Sequence, residues 1–177
     1  EDAVNYILMQ SRRLNSLVRK IMGFLIVESK QIEREMIQLD DVVGMACISV
    51  KMQAEIEDIR IEYENKPEVF MYGDRELLAT LLVNLLDNAI KASKAHSRII
   101  IEADDKNGAV EMVSVKDFGI GIPEDEIDKL TEPFYMVDKS RSRAKNGVGL
   151  GLSICMSIIR AHDGDLKITS RPEEGTT

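Results

Sequence analysis

The feature that most constrains the fold is the stretch from Asp117 to Leu152. It opens with Asp117-Phe118-Gly119-Ile120-Gly121-Ile122-Pro123 and closes with Gly147-Val148-Gly149-Leu150-Gly151-Leu152. Between these glycine motifs lies a cationic segment, Lys139-Ser140-Arg141-Ser142-Arg143-Ala144-Lys145-Asn146. Glycines let main-chain N–H groups approach an anion with no Cβ in the way. A helix starting at the second motif aims its unpaired donors, and the positive end of its dipole, at the same anion. The pattern predicts a turn, a cationic loop and a helix N-terminus gathered around one phosphate-bearing ligand. Either motif alone also fits an ordinary turn, so the discrimination has to come from elsewhere in the chain.

Charge narrows the ligand classes. A net charge of −8 would repel a nucleic-acid duplex, and the basic run at 139–145 is too short to form a binding stripe, so no nucleic-acid partner is expected. No run of about 18 apolar residues occurs, so no membrane contact is expected of this piece. The start of the chain carries no signal-peptide pattern. The two thiols, Cys47 and Cys155, lie in apolar helical settings and read as buried and free, which suits a reducing, cytoplasmic compartment. A start at Glu1 without methionine and an abrupt end at Thr177 suggest a piece of a longer protein, whose parent can still be membrane-anchored.

With 177 residues, the chain can form one sizeable domain plus an appendage. Residues 2–33 predict a long helix in which Ile7, Ser11, Leu14, Val18, Ile21, Leu25, Glu28 and Ile32 fall at alternating steps of four and three, a heptad seam. Val4, Leu8, Leu17 and Ile26 widen that seam, so the helix is expected to seek partner helices. Next come a short segment from Glu35 to Leu39 and a helix to about Ala54, with Asp40-Asp41 as its expected cap. Strands are expected at Ile59–Tyr63 and Val69–Tyr72, with Pro67 in the turn, followed by a helix from Arg75 to about Ser93. Arg98–Ala103 and Val110–Val115 predict a hairpin around Lys106-Asn107-Gly108. A short helix at Glu124–Thr131, a final helix at Gly149–His162 and a strand at Asp165–Ser170 complete the order. The sum is an α+β domain behind a helical appendage.

The helix at 75–93 carries the decisive chemistry. Leu77, Leu78, Leu81, Leu82, Leu85, Leu86, Ala89 and Ile90 make a broad apolar face, while Asn84, Asn88 and Lys91 fall at i, i+4 and i+7 on one line. Asparagine is a mediocre helix former, so two stacked amides in mid-helix need a reason. They either bond a neighbouring loop or offer amide oxygens to a hard cation such as Mg²⁺, which keeps waters and shares phosphate oxygens.

In order, the motifs Asn84-Leu-Leu-Asp-Asn88-Ala-Ile-Lys91, Asp117-Phe-Gly119-Ile-Gly121-Ile, Glu132-Pro-Phe134-Tyr135 and Gly147-Val-Gly149-Leu150-Gly151-Leu152 resemble the N, G1, F and G2 boxes of the sensor histidine kinases. Glu174-Gly175-Thr176 is similar to the family's last box. The resemblance covers about residues 10–177. It implies the two-layer α/β sandwich of the histidine-kinase, gyrase and chaperone ATPases over 35–177. Residues 1–34 would be the second helix of the dimerisation and phosphotransfer hairpin.

By the same resemblance, ATP or ADP with Mg²⁺ is the expected ligand. Asn88 would ligate the metal, with Asn84 beside it, and Lys91 would lie near the phosphates. Asp117 would accept from the adenine amine, with Gly119, Gly121 and Ile122 in the turn beside the base, and Thr176 as a further contact. Tyr135 belongs to the F box. Lys139, Arg141, Arg143 and Lys145 would lie in a mobile lid over the nucleotide. Gly147, Val148, Gly149, Leu150, Gly151 and Leu152 would present main-chain amides to the phosphates. The expected partners are a response-regulator receiver domain and a second copy of the parent through the hairpin helices.

Several positions depart from the family pattern. The acceptor histidine belongs to the hairpin's first helix, and no matching box is present; His96 and His162 read as surface or cap residues. Phe118 replaces the usual asparagine, Ala92 stands where an aromatic is common, Glu173 where glycine is frequent, and Val137 departs from the F box. The resemblance therefore implies an ATP-binding kinase module that does not phosphorylate itself. Three alternatives keep the fold: a gyrase-like ATPase, although Asn84 stands where those enzymes need a glutamate base; an anti-sigma-factor-like serine kinase, which would not need the long heptad helix; and a nucleotide-binding scaffold that signals by conformation.

Overall fold

The computed structural model describes residues 32–137 and 149–177. The helix expected at 2–33, apart from its last two positions, lies outside the described residues. So do Lys139, Arg141, Arg143, Lys145, Gly147 and Val148.

Five strands form one mixed sheet: β1 (Glu35–Gln38), β2 (Arg60–Tyr63), β3 (Phe70–Gly73), β4 (Arg98–Lys106) and β5 (Ala109–Asp117). Their order is β1-β3-β5-β4-β2, with β1/β3 and β4/β5 antiparallel and β2/β4 and β3/β5 parallel. The β4/β5 hairpin runs from Ile99 opposite Asp117 to Lys106 opposite Ala109. Its turn is Asn107-Gly108, both at positive φ, which matches the right-handed twist of the flanking strands.

Helices α1 (Leu39–Ile56) and α2 (Arg75–Ala92) pack on the sheet. The α1 side chains Leu39, Val42, Val43, Ala46, Val50 and Ala54 are buried, a spacing that puts them on one face. In α2, Asp74 caps the helix by accepting from the main-chain N–H groups of Glu76 and Leu77, each at 3.1 Å. These elements close the main core, in which Ile37, Leu39, Leu86, Ile90 and Ile99 are fully buried. A single helical turn, α3 (Glu124–Ile127), follows the sheet, and α4 (Gly151–Ala161) lies against α2. That contact has its own apolar cluster of Leu77, Leu150, Ile154 and Ile158, with Ile32 packed against it. Thus α2 lies between the main core and α4.

Local differences from the sequence expectation have identifiable causes. The residues before α1 form an edge strand, and α1 begins at Leu39 with no side-chain cap at Gln38. Asp40 is used otherwise: its Oδ1 accepts from the Tyr63 hydroxyl at 2.6 Å and the Lys66 main-chain N–H at 2.8 Å, tying down the β2–β3 loop. Burial and this bond push the Tyr63 hydroxyl well above its ordinary pKa. The helix expected at 124–131 is one turn long and gives way to successive tight turns through Glu132. Of the strand expected at 165–170, only Ser170 is a strand residue. It belongs to β6 (Ser170–Arg171), which pairs with β7 (Gly175–Thr176). Beyond that pair, Thr169 and Thr177 exchange main-chain bonds of 2.9 and 2.8 Å.

Candidate functional site

Asp117 ends β5 and is buried, with 6% of its surface exposed. Its Oδ1 accepts from the main-chain N–H groups of Gly119 at 2.8 Å and Thr176 at 3.3 Å. Burial raises the carboxyl pKa, and these two bonds oppose that rise. With Oδ1 engaged by main chain, Oδ2 is the oxygen left to accept from a ligand.

The glycines after Asp117 serve the protein's own packing. A Cβ on Gly119 would stand 2.4 Å from the Ala92 carbonyl oxygen, so the turn sits directly on the end of α2. One on Gly121, at φ +64, would stand 1.9 Å from the Arg171 carbonyl oxygen. The loop is thus pressed between α2 and the β6/β7 pair. It is fastened on both sides: the Ile120 N–H donates to Ala92 at 3.3 Å, and the Glu173 N–H donates to Ile120 at 2.7 Å. The Ile122 N–H donates to Ser170 Oγ at 2.8 Å. Phe118 points outward instead, with Arg98 and Lys116 both over its ring at 5.4 and 5.3 Å.

The second half of the site lies where α4 meets α2. A Cβ placed on Gly151 would stand 3.4 Å from Asn84 Oδ1 and 3.6 Å from both Asn88 side-chain polar atoms. Two amides separated by one turn of α2 therefore face the first residue of α4, as their spacing predicts. Asn84 is buried, and its Nδ2 donates to the Thr80 carbonyl at 2.9 Å, which fixes the flip and turns Oδ1 towards Gly151. At the start of α4, the N-cap Leu150 provides no side-chain cap bond. Leu150 itself is buried in the second apolar cluster.

Other expected residues have different settings. Lys91 pairs with Asp87 at 2.6 Å, and Gln53 Nε2 holds the other Asp87 oxygen at 3.0 Å. The Tyr135 hydroxyl bonds the Glu126 carboxylate, with Lys129 beside both. That contact raises the tyrosine pKa and lowers that of the glutamate. The Phe134 N–H donates to the Gly149 carbonyl at 2.8 Å, so the F box and the second glycine motif meet. His96 is exposed and pairs with Asp58, while His162 is the C-cap of α4.

Sequence reasoning missed Ser170, whose hydroxyl joins the Asp117 turn to β7. A lone serine in a two-residue strand has no periodic signature. It also missed Asp87 as the partner of Lys91, although their i, i+4 spacing allowed that pairing.

The buried Asp117 carboxylate at the end of β5 and the Asn84–Asn88 amides facing the first residue of α4 are the described parts of the candidate site on this α/β sandwich. Residues 73–177 match the family model described as histidine kinase-, DNA gyrase B-, and HSP90-like ATPase, and the chain belongs to that family. Within it, the chain's relatives are sensor histidine kinases, and its fold is that of their ATP-binding domain. It is 31% identical over 173 residues to the sensor-like histidine kinase SenX3 of Mycobacterium tuberculosis, covering 97% of this chain and 42% of the relative. The catalytic domain of histidine kinase ThkA superposes with a TM-score of 0.69 at 27% identity, covering 81% of this chain and 91% of that one. ThkA solved in complex with the response regulator TrrA gives a TM-score of 0.71 at 26% identity, covering 99% of this chain and 48% of that one. The chain thus spans less than half the length of the curated SenX3 relative.

Proposed function

We propose that this chain is the ATP-binding module of a sensor histidine kinase. In this reading it transfers the γ-phosphoryl group of ATP to a histidine on a helix of the parent protein, for relay to a response-regulator aspartate. The observation that carries the reading is the convergence of Asn84, Asn88 and the N-terminus of α4, with Asp117 Oδ2 unengaged among the described residues of the same domain.

Each residue then has a task. Asp117 Oδ2 accepts from the adenine amine, with Gly119, Gly121, Ile122 and Thr176 shaping the turn around the base. The main-chain amides from Gly149 to Leu152 meet the phosphates. Asn88 supplies an amide oxygen to Mg²⁺, with Asn84 alongside. No cluster of three or more His, Cys, Asp or Glu able to hold a metal occurs among the described residues. Such a donor set suits a hard cation that takes its remaining ligands from phosphate and water. The bound cation would offset charge on the triphosphate, while the protein contributes position and field. Lys91 would reach the phosphates by leaving Asp87, and the cations at 139–145 would close over them.

Residues 1–34 would be the second helix of the dimerisation hairpin and 35–177 the catalytic domain, working at the cytoplasmic side of the parent. The solved kinase bound to its response regulator supports a receiver domain as the downstream partner. The hydrolytic alternative is disfavoured, because an Asn84 amide whose Nδ2 is committed to Thr80 cannot take a proton from water. The test uses ATP labelled at the γ-phosphate. The chain alone should bind it, acquire no label and release no phosphate in steady turnover, and a parent hairpin carrying the acceptor histidine should become labelled when added. Label on this chain alone, or turnover abolished by Asn84→Ala, would contradict the reading.

A further inference from the structure

Helix α1 presents two opposite faces. Leu39, Val42, Val43, Ala46, Val50 and Ala54 are buried on the side that meets α2 and the sheet. Met45, Ile48, Met52 and Ile56 follow one another at steps of three, four and four residues on the far side. Met45 is 39% exposed, and Ile48, Met52 and Ile56 are 76%, 74% and 76% exposed. Single exposed apolar side chains are ordinary on a protein surface. Four aligned over successive turns form a contiguous stripe of the kind that marks a contact surface. Among the described residues nothing covers it.

Charge decides what can lie on this stripe. Two chains of net charge −8 repel, so they meet most readily through a surface whose own charges cancel. The four stripe residues are uncharged, and the border away from α2 carries one residue of each sign, Lys51 and Glu55. These two lie one turn apart, 4.0 Å from each other and both largely exposed. The opposite border is occupied by Gln53, which bonds Asp87 of α2. The open border reads plus to minus along α1, so a second α1 running the other way presents minus to plus. About a two-fold axis beside Met52, Ile48 meets the partner's Ile56 and Lys51 comes within reach of the partner's Glu55. The unbranched methionines adapt to such a seam. The stripe is its own complement in both apolar side chains and charge.

We propose that the Met45–Ile56 face of α1 is an interface with a second copy of this chain, the two helices packing antiparallel. A helix pair of this length covers roughly half of the area that a stable dimer buries on each side, about 800 Å². The contact is therefore weak in dilute solution and fills when two copies are concentrated or held close by another part of the parent. Nothing in it depends on the nucleotide reading.

The test is thiol crosslinking of the full chain at about 1 mM, the effective concentration of tethered modules. Met52→Cys places a thiol beside the axis, where a short bismaleimide can join two α1 helices that face each other. The unsubstituted chain, with its own Cys47 and Cys155, gives the background, and mass spectrometry maps the linked positions. Met52→Cys should yield dimer linked through position 52, several-fold above that background. Adding Lys51→Glu sets glutamate against the partner's Glu55 and should lower the yield by about 2- to 5-fold, the effect of exposed ion pairs. Glu55→Lys should do the same. Mixing these two chains, one of them isotope-labelled, restores opposite charges across the contact and should recover the yield as dimers holding one chain of each kind. A charge pair that acted only within its own helix would give no such recovery, because each chain still lacks its i,i+4 partner. Ile48→Glu, at an exposed position, should abolish the link. No dimer above background, a yield that the charge variants do not move, or links running from position 52 to residues 1–31 or to another face would overturn the proposal.

Discussion

His162 Nε2 accepts a hydrogen bond from the main-chain N–H of Asp74 at 2.9 Å, linking the end of α4 to the N-cap of α2. The other ring nitrogen lies 2.7 Å from the Ile158 carbonyl, so Nδ1 carries the proton and the ring is in one tautomer. The two helices whose meeting creates the asparagine–glycine junction are thereby pinned at their far ends as well. His162→Ala strands the Asp74 N–H, and urea unfolding should show a loss of about 1–3 kcal/mol. Unchanged stability would mean that the apolar cluster alone sets the α2–α4 contact.

Burial of Asp117 has a sign that can be measured. Its folded-state pKa is raised, so the ionised group detracts from stability above that pKa. As pH falls through the folded value towards the unfolded one, the penalty disappears. Asp117→Asn should therefore melt at or above the wild-type temperature at neutral pH while losing nucleotide binding. The stability difference should shrink as pH falls through the raised value towards the ordinary carboxylate range, and be gone below that range. Melting curves of both proteins across pH check this, and a variant much less stable at pH 7 would contradict it.

Two glycines predict opposite outcomes. Gly119→Ala drives a methyl into the Ala92 carbonyl and should destabilise by about 1–3 kcal/mol or more. A Cβ added to Gly44, in α1, would meet nothing within 4 Å. Gly44→Ala should therefore stabilise by about 0.5–1 kcal/mol through helix propensity alone. Chemical denaturation of the pair tests whether close approach, rather than glycine as such, matters at position 119.

Asn88 and Asn84 should separate in their dependence on Mg²⁺. Asn88→Ala should remove the gain in ADP affinity that Mg²⁺ brings and leave metal-free binding close to wild type. Asn84→Ala should also lower stability, because Asn84 is buried and bonded to Thr80. Calorimetric titrations with Mg²⁺ and with a chelator distinguish the two, and an Asn88 variant with an unaltered Mg²⁺ effect would move the metal elsewhere.

Elements whose side chains follow a period are legible in the sequence. The apolar face of α2, with Asn84 and Asn88 one turn apart, follows from residue spacing, and the Asn107-Gly108 turn follows from its dipeptide. The first residues of α1 are harder. Asp40-Asp41 has the form of a cap, but Tyr63 and Lys66 recruit Asp40, and they are distant in sequence. The motif around Gly119 and Gly121 is plain in the sequence, yet the main chains of Ala92 and Arg171 that require these glycines meet them only in three dimensions. The Ser170 network is hidden for the same reason: its partners at 122, 175 and 176 come together only when β6/β7 closes over the Asp117 turn.

The most direct test is a thermal-shift titration of the chain with Mg-ADP, beside Asp117→Asn. The melting temperature of the wild type should rise with ligand concentration as the native state is bound, and Asp117→Asn should show no rise. A flat wild-type curve at millimolar nucleotide, or the same rise in both proteins, would contradict the assignment of this pocket to a nucleotide.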